Sequence, residues 1–226
     1  MSHVSPRQNR VDPWSQVVAN PGRGSLMGNR GCLHDADGQI VRHHQGSRWI
    51  ICLLEFKGRK RSLMQPGRYT ELFFLDEATA LAAGHRPCAE CQHARFQHFL
   101  ELWVQTWPTE RKLRAGDLDA ALQAARWTKE GKVTYRARLD DLPSGVMVAA
   151  LDQPFPYLYW PARGDGALWR WDFTEYRPGP QWPGATEVRV LTPRPTVNVL
   201  AAGYPVQVHP SLHVPSRDLL ESGNIL

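Results

Sequence analysis

The chain of 226 residues has the composition of a soluble protein, with 42% hydrophobic and 22% charged residues. No apolar run approaches the roughly 18 residues that a membrane-spanning helix requires. Its four cysteines are too few for a disulfide framework. These features argue against a membrane protein and a disulfide-stapled secreted domain. Because the first residues also lack the apolar core of a secretory signal, we expect a cytoplasmic location and reduced thiols.

The net charge of +5 is concentrated at one end of the chain. Residues 1–70 carry eleven Lys or Arg against four Asp or Glu, whereas residues 115–226 carry eleven against twelve. A basic surface can attract DNA or RNA, but a solvated surface or a basic edge that resists aggregation has the same composition. The residues predicted to contact phosphate are Arg48, Arg59, Lys60, Arg61 and Arg68.

The first part of the chain predicts an irregular arm followed by three strands. Residues 1–30 are rich in Arg, Asn, Gly and Pro and show no periodicity, which is typical of an irregular N-terminal arm. The apolar run at 48–56 predicts a first strand, and Gly58 with the basic residues after it predicts a turn into a second. Residues 69–75 predict a third strand.

Helices are predicted next. Asp76 is placed to cap a short helix that Gly84 ends, and a longer helix is expected from about Cys88 to Trp107. Aromatic residues recur on this longer helix at three- and four-residue spacing, which favours core packing over base stacking. The polar linker 108–116 is a candidate domain boundary, and Asp117 is the expected cap of the helix that follows it.

From residue 132 onward the chain is rich in short β-prone runs separated by turn signals. This pattern predicts a small antiparallel sheet or partial barrel, with one further short helix at 195–205. The predicted fold class is therefore α+β. A zinc-stapled β-hairpin and helix module occupies residues 31–107, and a β-rich domain of unassigned function occupies residues 116–226.

The cysteines indicate a metal site. Cys88 and Cys91 can occupy two corners of a tetrahedral zinc site, and Cys52 on the first predicted strand can supply a third ligand. The fourth ligand is either Cys32 or His34, between which the sequence does not decide. Ordinary buried cysteines and a thiol–disulfide redox pair are the alternatives.

The run "FFLDEATALAAGHRPCAEC" resembles the end of the zinc-binding N-terminal domain of Ada-type DNA methyltransferases, over about residues 72–91. The resemblance implies zinc-ligand roles for Cys88 and Cys91 and a related zinc fold that also accompanies nucleic-acid-handling domains. That family places its other two cysteines three residues apart before an arginine-bearing segment. Because this chain has no such pair, the methyl-acceptor role is not carried over to any residue.

These observations predict a zinc-binding protein with a structural metal, which contacts nucleic acid through its basic N-terminal face and has no membrane partner. Four protein ligands would leave no open metal position for water, so the interpretation favours a protein that is not an enzyme. Two enzymatic alternatives stay open: alkyl acceptance by Cys52, or phosphodiester cleavage by His34, Asp35 and His43. A structural zinc protein that binds another protein is the third alternative.

Overall fold

The computed structural model describes residues 5–59, 62–161 and 167–212. Over these residues the chain forms two six-stranded sheets, a two-stranded ribbon and four α-helices. The predicted α+β class is confirmed.

The first sheet is built from very short strands that are distributed over residues 8–87. Its order is β2-β1-β5-β3-β4-β6, with β1–β5 and β4–β6 parallel and the other pairs antiparallel. The strands are β1 (Gln8–Val11), β2 (Val17–Ala19), β3 (Leu26–Asn29), β4 (Ile50–Cys52), β5 (Leu72–Phe74) and β6 (Arg86–Pro87).

The predicted irregular arm is wrong for residues 8–29, which supply three of these strands. Each has only three or four residues, and both β1 and β3 pair with the distant strand β5, so a local window shows no alternation. The glycines that suggested a loop allow close strand approach instead. A Cβ on Gly28 would lie 2.2 Å from the Ile50 carbonyl oxygen.

The predicted strand after Gly58 is also wrong for the described residues. Residues 53–59 and 62–71 form turns and irregular structure, and the neighbours of β4 are β3 and β6. The pairing that holds β4 is therefore long-range rather than a local hairpin.

The helices are α1 (Glu77–Ala82), α2 (His93–Thr106), α3 (Ala115–Arg126) and α4 (Arg194–Ala201). Asp76 caps α1 as predicted, because its carboxylate accepts from the Thr79 amide at 2.9 Å. Helix α3 begins earlier than predicted, and Asp117 lies inside its first turn, where it accepts from the Arg114 amide at 2.7 Å. The buried face of α2 includes Phe96, Phe99 and Trp103, which agrees with core packing.

The second sheet is antiparallel throughout, with the order β13-β12-β11-β10-β14-β9. A ribbon precedes it, and a 3-10 turn at Leu139–Asp141 follows its first strand. The remaining strands are β7 (Trp127–Thr128) and β8 (Gly131–Lys132) in the ribbon, then β9 (Tyr135–Arg138), β10 (Val146–Ala149), β11 (Pro156–Tyr159), β12 (Ala167–Trp171), β13 (Tyr176–Gln181) and β14 (Glu187–Val190).

One hydrophobic core is shared by the two sheets. A single cluster of buried residues contains Leu72 and Phe74 from the first sheet together with Val146 and Val188 from the second. Helix α1 is buried along its whole length. Its cap, Asp76, also accepts a hydrogen bond from the Tyr176 hydroxyl at 2.8 Å, which ties the helix to the second sheet. The core therefore crosses the linker that the sequence marks as a candidate boundary.

Candidate metal centre

Three cysteine side chains converge at the end of the first sheet. Cys52 ends β4, Cys88 directly follows β6, and Cys91 lies in the turn before α2. Parallel pairing of β4 with β6 brings the two strand ends together, and the Cys88 amide donates to the Ile51 carbonyl at 2.9 Å. The three Sγ atoms all lie within 4.8 Å of one another.

Hydrogen bonds from the backbone and from the side chain of Gln92 hold the turn that carries Cys88 and Cys91. The Gln92 amide donates to the Cys88 carbonyl at 3.1 Å, and the Gln92 side chain donates to the Ile51 carbonyl at 3.0 Å. The Glu90 amide lies 3.4 Å from the Cys88 sulfur, where it can donate to a thiolate. The turn that carries Cys88 and Cys91 is therefore held against β4 by hydrogen bonds that do not require a metal.

The three thiols favour one shared negative charge. The pKa of Cys88 is lowered to about 5, chiefly because the Cys52 thiol donates a hydrogen bond to its sulfur. The same hydrogen bond, followed by burial, raises the pKa of Cys52, and burial raises the pKa of Cys91. A cation bound between the sulfurs would displace the remaining protons, because thiolates are the ligands that metals bind.

The donor set fits a metal ion. Tetrahedral zinc with Zn–S bonds of about 2.3 Å places its sulfurs about 3.8 Å apart, and the observed separations allow this arrangement. Two of the cysteines are almost fully buried, and Cys91 is half-buried. The cluster can therefore hold a metal ion between side chains that are themselves largely buried.

A buried ion pair supports the segment just before Cys88, and the sequence interpretation did not foresee it. The Arg86 guanidinium donates to both carboxylate oxygens of Asp119 in α3, at 3.0 and 2.8 Å. Both side chains are at least 95% buried. Two features of the sequence pointed toward it: Arg86 lies directly before "PC", and Asp119 is an acidic residue on the apolar face of a helix. Neither feature indicates that these two residues pair with each other.

Neither candidate for a fourth ligand belongs to the group of three mutually close thiols. The Cys32 sulfur lies 3.6 Å from the His34 carbonyl oxygen. Both ring nitrogens of the buried His34 have protein partners, the Thr70 hydroxyl at 2.6 Å and the Gln65 carbonyl at 3.1 Å. Among the described residues, the group of mutually close metal-ligating atoms contains Cys52, Cys88 and Cys91.

The residues proposed for phosphodiester cleavage have separate environments. One Asp35 carboxylate oxygen accepts from the backbone amides of Asp37 and Gln39, as in a polar turn. The His43 ring stacks on Trp127 at 3.3 Å between ring centroids and contacts the Ser15 carbonyl at 2.8 Å. Within the described ranges, His34, Asp35 and His43 do not form a metal-ligating cluster.

The three cysteines line an open cleft of about 1720 Å³. Its walls also contain Cys32, the aromatic ring of Phe56, and the exposed cations Arg48 and Arg59. Arg59 is paired with Glu90 at 2.6 Å, which offsets part of its charge. The third described residue predicted to contact phosphate, Arg68, is exposed beside a smaller neighbouring pocket. Lys60 and Arg61 lie outside the described residues.

Comparison with protein-family models, with curated proteins and with solved structures finds no match. The resemblance to the Ada-type zinc domain therefore stays a prediction from the sequence. In the described part of the chain, no helix combines the length and the apolar character needed to cross a membrane.

Proposed function

We propose that this chain is a zinc-binding protein in which Cys52, Cys88 and Cys91 hold the ion. The convergence of three Sγ atoms from two strand ends and a helix start carries the proposal. A metal there would cross-link β4 to β6 and the start of α2, which lie more than thirty residues further along the chain. Metal bound only by the folded chain stabilises that fold.

Zinc is the metal that best suits this donor set. Thiolate ligands select zinc, copper(I) or iron–sulfur clusters over magnesium and calcium, which prefer oxygen. Zinc has no redox chemistry and takes tetrahedral sulfur sites readily. When bound, zinc would act as a divalent Lewis acid and as a cross-link within the fold.

Metal analysis of protein purified under reducing conditions tests the zinc site. We expect about one zinc per chain, and loss of most of that zinc in Cys52→Ser, Cys88→Ser and Cys91→Ser. Cys32→Ser is the matched control, and we expect it to retain zinc. Wild-type protein that contains no zinc, and does not bind added zinc, would refute the proposal.

We further propose that the surface around the cleft lined by the three cysteines contacts DNA or RNA. Support comes from Arg48 and Arg59, two exposed arginines on the cleft that the cysteines line, with Arg68 exposed nearby. Guanidinium groups bind phosphate oxygens with two parallel hydrogen bonds and carry no sequence information by themselves. The contact would position a nucleic acid at the metal-bearing edge of the first sheet.

Binding to a labelled oligonucleotide at several salt concentrations tests this contact. We expect affinity to fall as salt rises, and the slope of log K against log salt to decrease by about 0.9 for each phosphate contact removed from a duplex. Arg48→Ala should reduce both the affinity and the slope. Arg177→Ala, which removes an exposed arginine of the second sheet, is the control. Binding that does not respond to salt would contradict the proposal.

A further inference from the structure

We propose that the cleft takes up a single-stranded nucleic acid, whose unpaired bases stack on aromatic side chains of the cleft. This inference rests on the proposed nucleic-acid contact and names the class of nucleic acid that the cleft fits. Contacts from Arg48 and Arg59 to phosphate do not by themselves separate a single strand from a duplex, because both carry phosphates. The side chains between those arginines make the distinction.

One face of the first sheet forms the floor of the cleft. Successive side chains of a strand point to opposite faces of its sheet. In β5, Leu72 and Phe74 belong to the hydrophobic core, whereas Phe73 between them is only partly buried and lines the cleft. Met27 of β3 lies opposite Phe73 and Cys52 in the strand register and lines the cleft as well. The floor is therefore an apolar sheet face that the described residues cover only in part.

Exposed apolar side chains line the walls of the same cleft. Leu53, Leu54 and Leu63 expose 38%, 48% and 37% of their surface, and all three line the cleft. Large apolar side chains that are exposed together around one cleft are typical of a binding surface. Phosphate groups alone gain nothing from such a surface, so the ligand must also carry apolar or flat groups.

Aromatic rings beside cations favour bases as those groups. Phe56 lines the cleft, and Lys57 Nζ and Arg59 Cζ lie 5.1 and 5.4 Å from the centre of its ring. On the floor, Arg10 Cζ lies 4.9 Å from the centre of the Phe73 ring. Every base has a flat π face, and stacking of bases on aromatic rings near cationic side chains is typical of proteins that bind single strands.

The charges of the cleft argue against a row of phosphates along its walls. Beside Arg48, Lys57 and Arg59, four acidic residues line the cleft, namely Glu55, Glu71, Glu90 and Asp119. Glu90 pairs with Arg59 and Asp119 with Arg86, so the walls carry no strong positive charge. Carboxylates repel phosphates but accept hydrogen bonds from the amino groups of bases. A single strand can turn its bases toward such walls, whereas a duplex pairs its bases with each other and presents its phosphates outward.

Fluorescence anisotropy of the zinc-loaded, full-length protein with labelled oligonucleotides tests the inference. The probes are about 20 nucleotides long, because one single-strand site of this kind covers roughly 4–16 nucleotides. They are oligothymidine, the duplex of oligothymidine with oligoadenosine, and an abasic strand with the same number of phosphates. We expect oligothymidine to bind about tenfold or more tightly than the duplex and the abasic strand. An oligouridine strand titrated in parallel distinguishes RNA from DNA as the preferred single strand.

Matched phenylalanine variants separate stacking from other effects. Phe56→Ala should raise the Kd for oligothymidine about fivefold to a hundredfold, because one base loses its stacking partner. The slope of log K against log salt should not change, because no phosphate contact is lost. Phe155→Ala is the control and should bind like the wild type. Phe155 is also exposed, and Arg170 Cζ lies 4.7 Å from the centre of its ring, but it does not line the cleft.

Phe56→Trp keeps the test valid if Phe56→Ala disturbs the fold. This variant retains an aromatic ring and should bind oligothymidine like the wild type. Zinc content should equal that of the wild type in all three variants. An equal loss of affinity in Phe56→Trp and Phe56→Ala would show that stacking on this ring does not contribute, and would overturn the inference.

The other results separate this inference from the proposed function. Equal, salt-dependent affinities for oligothymidine, the duplex and the abasic strand would overturn the inference and leave the proposed phosphate contact intact. If no oligonucleotide binds, the proposed nucleic-acid contact fails as well. A polypeptide is then the alternative occupant of the cleft. Peptides selected from a random library that bind the wild type and Phe155→Ala, but not Phe56→Ala, would assign the cleft to a polypeptide.

Discussion

Removal of the Asp119 carboxylate should destabilise the protein more than any change to an exposed ion pair. Asp119→Ala leaves the Arg86 guanidinium buried without its two charge-assisted hydrogen bonds, at 3.0 and 2.8 Å. Breaking a buried pair by deleting one partner costs about 3–5 kcal/mol, mostly the penalty for the charge left behind. Arg86 retains its contact with the Pro87 carbonyl and its position over the Phe96 ring, which places the expected cost toward the lower end.

Urea unfolding followed by tryptophan fluorescence measures this cost. With a slope of about 2–3 kcal/mol per molar urea, a loss of about 3 kcal/mol lowers the unfolding midpoint by about 1–1.5 M. Glu175→Ala is the control, because it removes the partner of Arg177 in an exposed pair and should leave the midpoint unchanged. An apolar double variant, Arg86→Met/Asp119→Leu, should recover most of the lost stability, since neither charge is then buried.

The same variants test whether the ion pair positions the cysteine site. Arg86 lies two residues before Cys88, so Asp119→Ala should also weaken zinc binding, while Glu175→Ala should not. A loss of less than about 1 kcal/mol in Asp119→Ala would show that the Arg86 charge is satisfied elsewhere. That result would refute both the energetic argument and the positioning role.

Three further predictions concern the core and its pH dependence. Burial, followed by the nearby Arg30 charge, lowers the pKa of His43 to about 3, so between about pH 3 and pH 6.5 the unfolded chain binds up to one more proton than the folded chain. The free energy of unfolding is therefore highest above about pH 6.5 and decreases as the pH falls toward 3. The decrease should be less than about 1.4 kcal/mol per pH unit, because the ring is only partly buried. His43→Gln should reduce this pH dependence of the free energy of unfolding, measured by urea titrations at several pH values. Gly84→Ala should destabilise by about 1–3 kcal/mol, since Gly84 has φ of +92° and a Cβ there would lie 2.9 Å from the Arg126 side chain. Asp76→Ala should cost about 2–4 kcal/mol in the same assay, because the carboxylate caps α1 and also accepts from Tyr176.

Each of these predictions has a result that would contradict it. Gly38 has φ of +79° but open space around it, so Gly38→Ala isolates backbone strain; equal effects at the two glycines would mean that the Arg126 contact is unimportant. An unchanged pH slope in His43→Gln would place the protonation on another group. An Asp76→Ala variant as stable as the wild type would mean that water replaces the lost hydrogen bonds.

The features that could be predicted from the sequence are those that depend on local chemistry. The Asp76 cap, the apolar face of α2 and the antiparallel second sheet all follow from short-range patterns. Three of the five predicted metal ligands, Cys52, Cys88 and Cys91, also come together in space. The spacing of Cys88 and Cys91 is a local pattern, whereas Cys52 joins them through the long-range pairing of β4 with β6.

The features that could not be predicted depend on pairing between distant segments. Strand β3 is recognisable only through its partners β4 and β5, since four residues with a central glycine look like a loop. The partner of Arg86 lies thirty-three residues away in a helix beyond the polar linker. Whether His34 can bind a metal depends on which groups occupy its ring nitrogens, and those groups belong to the segment before β5.

The metal centre depends on both parts of the chain that the sequence divides at the linker. The Cys88 turn follows β6, whose Arg86 is neutralised by Asp119 from beyond that linker. Helix α1, which leads into β6, is capped by a carboxylate that also binds Tyr176 of the second sheet. Because both contacts are buried, loss of the second sheet or α3 would leave polar groups of the metal-bearing part unsatisfied. The β-rich half and α3 therefore stabilise the segments that carry the cysteine site.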